Sequence, residues 1–382
     1  MPAPLRDNPG PGERPVLVTG AGGFVGGHVA RALAAAGNRV RGFVRTIPRP
    51  EPDDPPIDWF VGDLRRAEDR GRAVEGVAAV VHVAGWVSLG SDPRGESRAL
   101  NVEATRGLLD AGGAAGADRF LYTSTLWTVA AGEESEPADE ETAWNLATLR
   151  SPYSETKREA ERLVLGASRL GYRTAVVCPG LVIGPRDVRP TSTRLLLAMA
   201  GTPVALLPRG GIPIIDARVA ALGHLRALER AEPGRRYVLA GPYLSYHDLA
   251  AMVAQVAGRP RRVVTVPDAC QRPLTWLAGR LDRWGRGRWP EVAAAAVAGG
   301  FLRLHVRGTR ADLAFGLHHP PPLRSIFDAL DDARRSGRAP WLRLRPPELL
   351  HPEPLPGPAP PVGYDSATFP AICGLPTSEN RS

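Results

Sequence analysis

The chain has 382 residues, 43% of them hydrophobic, enough for one large α/β domain with an appended lobe or for two domains. Its 48 Lys and Arg exceed its 40 Asp and Glu to give a net charge of +8, but the arginines are scattered among acids with no basic block, which argues against a nucleic-acid partner. Cys178, Cys270 and Cys373 form neither a metal-ligand spacing nor a disulfide framework, so no metal is expected and a reducing, cytoplasmic setting fits.

Residues 1–14 are rich in Pro and Gly without an apolar run, so they read as a flexible start and not as a secretion signal. No later stretch is long and uncharged enough to span a bilayer. From Pro15 the pattern alternates. Strands are expected at Pro15–Thr19, Arg39–Arg45, Asp58–Val61, Val77–Val83, Arg119–Ser124 and Arg173–Cys178. Helices are expected at Phe24–Ala36, Asn101–Ala115 and Tyr153–Leu170, the first stopped by Gly37-Asn38. Apolar strands alternating with such helices indicate βαβ units and a doubly wound parallel sheet of Rossmann type. This assigns a dinucleotide-binding domain to residues 15–183. From Gly184 the alternation becomes irregular, with helices at Arg218–Arg230, Tyr246–Val256 and Pro322–Arg335 and a strand at Arg236–Leu239. Residues 184–338 therefore read as a smaller mixed substrate lobe with some segments returning to the main sheet. The Pro-rich residues 339–382 read as a flexible tail.

The segment Thr19-Gly20-Ala-Gly-Gly23-Phe24-Val25-Gly26 lies between the first strand and the first helix. Its glycines permit a tight turn, close approach of a pyrophosphate, and close packing of helix on strand. The helix start then offers free N–H groups and a positive dipole end to phosphates. An NAD site usually ends its second strand with Asp or Glu on the ribose 2′-hydroxyl. Arg45 stands there instead, suited to a 2′-phosphate, with Arg41 or Arg49 able to assist. NADP(H) is thus the preferred cofactor, with NAD(H) possible.

Only one lysine occurs in the chain, and it stands four residues after a tyrosine, in Tyr153-Ser-Glu-Thr-Lys157. One helical turn puts both side chains on one face. There an ammonium can lower the phenol's pKa and make it a proton donor and acceptor near neutrality.

Taken in order, the Gly motif, the hydroxyl-rich end of the fifth strand and Tyr153-x-x-x-Lys157 resemble the extended short-chain dehydrogenase/reductase family, also described as NAD-dependent epimerases/dehydratases. The likeness runs over roughly 15–333 and is greatest to the dihydroflavonol-reductase-like and hopanoid-associated members. Gly62-Asp63-Leu64 resembles the family's adenine-contacting turn. Val81-His82-Val83-Ala84-Gly85 resembles its fourth-strand motif, with Gly85 where Ala is usual, and His82 is taken as a structural contact beside the cofactor. Cys178-Pro179-Gly-Leu181-Val182-Ile-Gly-Pro185 resembles the loop bordering the nicotinamide. The resemblance implies Tyr153 as general acid/base and Lys157 as holder of the nicotinamide ribose and modulator of the Tyr. It places Thr125 in the third catalytic position, with Ser124 next. It also implies cofactor contacts from Asp63, Leu64, His82, Ala84, Pro179 and Val182, and makes a homodimer through the Tyr–Lys helix possible.

Trp86, Trp127 and Trp144 fall at loop positions where a substrate should lie and suit an apolar or aromatic molecule. The acidic stretch Glu133–Glu141 reads as a solvated lid or loop. The expected activity is hydride transfer between NADP(H) and a ketone or secondary alcohol of a small apolar substrate. The alternative is a nucleotide-sugar epimerase or dehydratase with tightly held NAD, against which stand Arg45 and Leu181, the latter where such enzymes often carry Asn. Finally, Leu274–Trp284, with Trp289 nearby, reads as a basic amphipathic stretch able to lie on an anionic membrane, although packing on its own protein is the favoured reading.

Overall fold

Short runs of Val, Leu and Phe that alternate in which face they bury need partners on both sides, and the chain supplies them. A computed structural model describes residues 14–260, 262–285 and 293–345. The strands are β1 (Val16–Thr19), β2 (Val40–Val44), β3 (Asp58–Val61), β4 (Ala79–His82), β5 (Arg119–Thr123), β6 (Arg173–Pro179), β7 (Leu181–Ile183), β8 (Val204–Pro208), β9 (Gly211–Asp216), β10 (Arg236–Leu239), β11 (Tyr243–Ser245) and β12 (Arg262–Val266). The helices are α1 (Phe24–Ala35), α2 (Ala67–Val74), α3 (Glu96–Arg98), α4 (Ala104–Ala114), α5 (Pro152–Ser168), α6 (Ser192–Gly201), α7 (Ala217–Arg230), α8 (Tyr246–Val256), α9 (Gln271–Gly285), α10 (Ala294–Gly300), α11 (Thr309–Phe315) and α12 (Pro322–Arg335).

The main sheet has seven strands in the order β10-β6-β5-β4-β1-β2-β3, every neighbouring pair parallel. The order reverses between β1 and β4, so the crevice at their C-terminal ends is the switch point where open α/β sheets bind ligands. Leu17, Val80, Phe120, Tyr122, Val176 and Val238 point to one face, under α4 and α5. Their neighbours Val16, Val18, Val81, Leu121, Val177 and Leu239 point to the other, under α1, α7 and α11. This is the doubly wound, two-faced Rossmann arrangement expected from the alternation.

A second, smaller lobe has its own core. Ile183, Leu196, Met199, Ile214, Leu249, Val253, Ile326 and Leu330 join α6, α8 and α12 to the three-stranded sheet β11-β9-β7. A parallel pair, β8 with β12, forms the third sheet.

Several details depart from the sequence reading. The helix expected from Asn101 begins earlier, as α3, and reaches α4 through one π-helical turn, Ala99–Glu103, that contains Asn101. Residues 339–345, taken as the start of the tail, are packed: Ala339 and Leu342 are buried in the second core, and the Arg345 N–H donates to Val256 O at 2.9 Å. The remainder of that tail, like residues 1–13, lies outside the described residues. The acidic loop is solvated at Glu133–Glu136 and again at Glu141, but not between. Ala138 is buried and exchanges backbone hydrogen bonds with His305 and Arg307, and the buried Glu140 carboxylate accepts from Val238 N at 2.8 Å.

Glycines in this frame are not equivalent. A Cβ on Gly26 would sit 2.2 Å from Gly20 O, whereas one on Gly71 in α2 or Gly166 in α5 would meet nothing within 4 Å. Gly26→Ala is expected to destabilise the fold by about 1–3 kcal/mol through overpacking. Gly71→Ala and Gly166→Ala are expected to stabilise it by roughly 0.5–1 kcal/mol each, because Ala loses less backbone entropy in a helix. Urea denaturation of the three variants checks both signs.

Candidate active site

The site can be followed along the C-terminal edge of the main sheet, contact by contact. At the outer end, Arg45 follows β2 and is exposed, and its charge reaches Asp63 just past β3. The Arg65 guanidinium, 2.5 Å away, holds the Asp63 carboxyl down at about 2, with Arg45 adding to the effect. Arg49 is also exposed, but Arg41 is not available as an assistant. It lies near the start of β2 and donates to Ala73 O and Glu75 O at the end of α2, both at 2.8 Å. Leu64 is buried, its carbonyl accepting from Arg70 at 2.7 Å.

The Gly-rich turn comes next. Gly20 adopts φ +69°, and a Cβ there would lie 2.9 Å from the backbone of Ala84 after β4. Gly23 caps α1 with no side chain, so the first N–H groups of that helix stay open to a ligand. Phe24 packs edge-on against His28 at 5.5 Å, and Val25 lies half-buried against the core beneath α1. The turn is thus a cradle that a side chain would fill, which fits a dinucleotide pyrophosphate.

His82 is fully buried and held at both ring nitrogens. Thr105 Oγ1 donates to Asn101 O, so it accepts from Nε2–H at 2.9 Å; Nδ1 then accepts from Thr19 Oγ1–H at 2.7 Å. Burial, reinforced by the charge of Lys157, pushes His82 down to about 3. The ring stays neutral at any physiological pH and works as a strut. The same Thr19 oxygen accepts from Val83 N and Ala84 N, which fixes the strand exit beside the Gly turn.

At the inner end, α5 starts on a Ser151 cap with Pro152 in its first turn, a strong helix-start signal. It carries Tyr153 and Lys157 inward, both buried. Lys157 Nζ donates to Thr123 O at 2.7 Å and lies 4.6 Å from the centre of the Tyr122 ring. A Cβ on Gly85 would come within 3.1 Å of Nζ, so the smallest residue at this position leaves the ammonium its room. Burial pushes Lys157 down to about 7. Burial pushes Tyr153 up, and a hydrogen bond with Thr125 offsets part of that rise. The lowering of the tyrosine expected from Lys157 is therefore not present in the chain by itself.

The two candidate hydroxyls at the end of β5 differ sharply. Ser124 Oγ–H donates to Glu161 Oε2 at 2.7 Å, beneath the site, while Thr125 meets Tyr153. Glu161 was not anticipated. It stands one further turn along α5, is buried, and also takes Thr128 Oγ1 at 2.7 Å and Arg236 Nη1 at 3.2 Å. Its spacing from Tyr153 and Lys157 was the only available signal.

Pro179 ends β6 and Val182 is buried in β7; between them Gly180 N donates to Leu239 O at 2.9 Å, and a Cβ there would lie 3.5 Å from Leu126, next to Thr125. Among the tryptophans, Trp86 is held through its backbone by Asn101 (N to Oδ1, 2.7 Å), which also bonds Thr156 of α5. The Trp127 ring lies over Gly299 of α10. Trp144 is spent on the scaffold: its indole N–H donates to Trp127 O at 3.0 Å, and Arg158 stacks 4.3 Å from its ring centre.

The model of the NAD dependent epimerase/dehydratase family matches residues 16–240. A putative dihydroflavonol 4-reductase from Synechocystis sp. is 31% identical over 83% of this chain and 92% of its own. A 3-beta-hydroxysteroid dehydrogenase from Mycolicibacterium neoaurum is 31% identical over 64% and 70%. The crystal structure of a nucleoside-diphosphate-sugar epimerase from Pseudomonas aeruginosa superposes with TM-score 0.68 at 25% identity, covering 85% of this chain and 98% of the other.

Two measurements test this geometry. Lys157 has a folded pKa below its unfolded one, so the unfolded chain binds more protons between pH 7 and about 10.4, and stability rises with pH across that window. Lys157→Met is expected to flatten that slope in melting curves of the cofactor-free protein. Arg236→Ala leaves Glu161 buried without its cation and is expected to cost about 3 kcal/mol, read by chemical denaturation.

Proposed function

The chain belongs to the NAD dependent epimerase/dehydratase family, the NAD(P)-dependent enzymes of the extended short-chain dehydrogenase/reductase type, and on that footing we propose that it is an NADP(H)-dependent oxidoreductase acting on a ketone or secondary alcohol of a small, rather apolar molecule. The observation that carries the proposal is that α5 brings two buried side chains to the end of β5, Tyr153 beside Thr125 and Lys157 on Thr123 O.

Gly20, Gly23, Phe24, Val25 and Gly26 would hold the pyrophosphate, and Asp63, Leu64 and Ala84 would border the adenosine. Pro179 and Val182 would border the nicotinamide, and His82 would hold the nearby strand end in place. When bound, the cofactor supplies or accepts the hydride. Tyr153 Oη gives the proton to the substrate oxygen in reduction and takes it back in oxidation. Thr125 donates a hydrogen bond to that oxygen and shares the tyrosine's proton position. Lys157, once charged by contact with ribose hydroxyls and an anionic ligand, stabilises the tyrosinate form. Ser124 is assigned a structural role, because its proton is spent on Glu161.

Arg45 favours NADPH over NADH, since an exposed guanidinium can pair with a 2′-phosphate and an acid would repel it. Trp86 and Trp127, half-buried in the segments after β4 and β5, support an apolar substrate. The relative named as a hydroxysteroid dehydrogenase supports a secondary alcohol or its ketone.

Fluorescence titration is expected to show tighter binding of NADPH than of NADH, with Arg45→Asp reversing the preference. A preference for NADH, or a cofactor retained through purification, would instead support the nucleotide-sugar reading. Tyr153→Phe is expected to reduce turnover of a carbonyl substrate by about 10²–10⁴-fold while NADPH still binds. Unchanged turnover in that variant would remove Tyr153 from the chemistry.

A further inference from the structure

Helix α9 is turned inside out. It buries Ala278, Asp282 and Gly285, a small and polar set, and presents its large apolar residues to solvent. Leu277 is 47% exposed, Trp276 63% and Trp284 79%, with Leu274 and Leu281 exposed as well. At about 100° per residue, Leu274, Leu277, Leu281 and Trp284 share a stripe about 80° wide. Arg280 is exposed about 40° beyond Trp284 and lies 5.2 Å from the Trp276 ring centre, with Trp276, Arg283 and Arg272 exposed further round the same open side. The helix's one acid, Asp282, faces inward and accepts from Ser91 N at 2.8 Å. The solvent face of α9 therefore carries three guanidiniums and no carboxylate. The helix packs on its own protein, the favoured expectation from sequence, through Ala278, Asp282 and Gly285, while its large apolar residues stay exposed among the described residues; Trp289 lies outside them.

The neighbouring surface continues the pattern. Strand β12 leads into α9, and Val264 faces outward with Leu206 and Val204 of β8, on one side of the two-stranded sheet. Among the described residues no helix is long and apolar enough to cross a membrane, so α9 is suited to lying on one.

We infer that α9 docks this protein on an anionic bilayer, its Leu/Trp stripe at the acyl boundary and its arginines among the lipid phosphates. A second copy of the chain is a poorer occupant. It would bring α9 guanidiniums together with no α9 carboxylate between them, whereas an anionic leaflet supplies both the apolar and the negative component. The site's position adds a consequence. α9 is tied through Ser91 to the loop after Trp86 and packs on α10, whose Gly299 lies under Trp127. Docking therefore places the candidate cleft beside the lipid surface. The docking itself does not depend on the oxidoreductase reading.

Co-sedimentation of the full chain with vesicles of phosphatidylcholine, with and without phosphatidylglycerol, tests it. Binding is expected only to the anionic vesicles and to weaken with salt. Trp276→Ser with Leu277→Ser, and separately Arg280→Glu with Arg283→Glu, should each weaken it at least about tenfold, since each juxtamembrane cation contributes about 1 kcal/mol and 1.4 kcal/mol is tenfold. NADPH titration of the same variants should be unchanged, which separates loss of docking from loss of fold or of the cofactor site. No sedimentation with anionic vesicles, equal binding to both vesicle types, or a dimer in solution that the Trp276→Ser/Leu277→Ser variant converts to monomer would overturn the inference.

Discussion

One buried carboxylate organises the inner end of the site. Glu161 receives Arg236 from the far edge strand β10, Ser124 from the end of β5 and Thr128 from the turn beyond it. An ionised acid in this position is tolerable only if cation and hydroxyls surround it, and here they do. The consequence reaches the surface of the cleft. Because Glu161 takes the Ser124 hydroxyl downward, the next residue, Thr125, is the hydroxyl left to meet Tyr153. Because Glu161 fixes α5 against β5 and β10, Lys157, one turn earlier, is placed under Thr123 O. Arg236 also clamps the acidic loop by donating twice to Glu140 O, at 2.7 and 2.5 Å. The loop, the helix and the edge strand are thereby one unit.

The main sheet was legible in the sequence because each of its central strands is buried on both faces, and such strands read as short apolar runs bounded by Gly, Asp or Pro. The Gly turn and the Tyr–Lys pair were legible because their chemistry requires fixed residue types at fixed local spacing. Helix α2 was not. Its residues Ala67–Val74 carry Glu68, Asp69, Arg70 and Arg72 and bury only Ala73 and Val74, so its periodicity is nearly silent. Glu161 was hidden for a related reason. It sits among Arg158, Glu159 and Arg162, a run that looks like a solvated helix face, and its partner Arg236 is 75 residues away. Choosing between Ser124 and Thr125 needed that same non-local contact.

The second lobe was the least legible part. Its strands are three to six residues long and several face solvent on one side. Their pairings join β7 to β9 and β8 to β12, far apart in sequence, so no local signal announces them. In α9 the amphipathic pattern was plain, but which side faces the protein was not, since that depends on Ser91 capturing Asp282 from 191 residues away.

The two ends of the candidate cleft are held with unequal strength. After β7, Arg186 adopts a left-handed φ of +66°, rare for a residue with a side chain. That geometry is over-determined. Its guanidinium pairs with Asp54 at 2.5 Å and Glu51 at 2.7 Å, its N–H donates to Asp332 of α12, and Asp54 also takes Arg31 of α1 at 2.6 Å. Burial would raise the Asp54 carboxyl, but the hydrogen bonds from Arg31, Glu51 N and Arg186 hold it well below its usual range, so the clasp stays charged. One residue earlier, Pro185 O meets His28 of α1 at 2.9 Å. Displacing the second lobe from this edge would break several charge-assisted bonds together. On the opposite side, α9 and α10 meet the sheet-edge loops through the Ser91–Asp282 bond and the Trp127–Gly299 contact. Among the described residues α9 and α10 make no ion pair to these loops, and that side is also where the exposed Leu/Trp stripe lies.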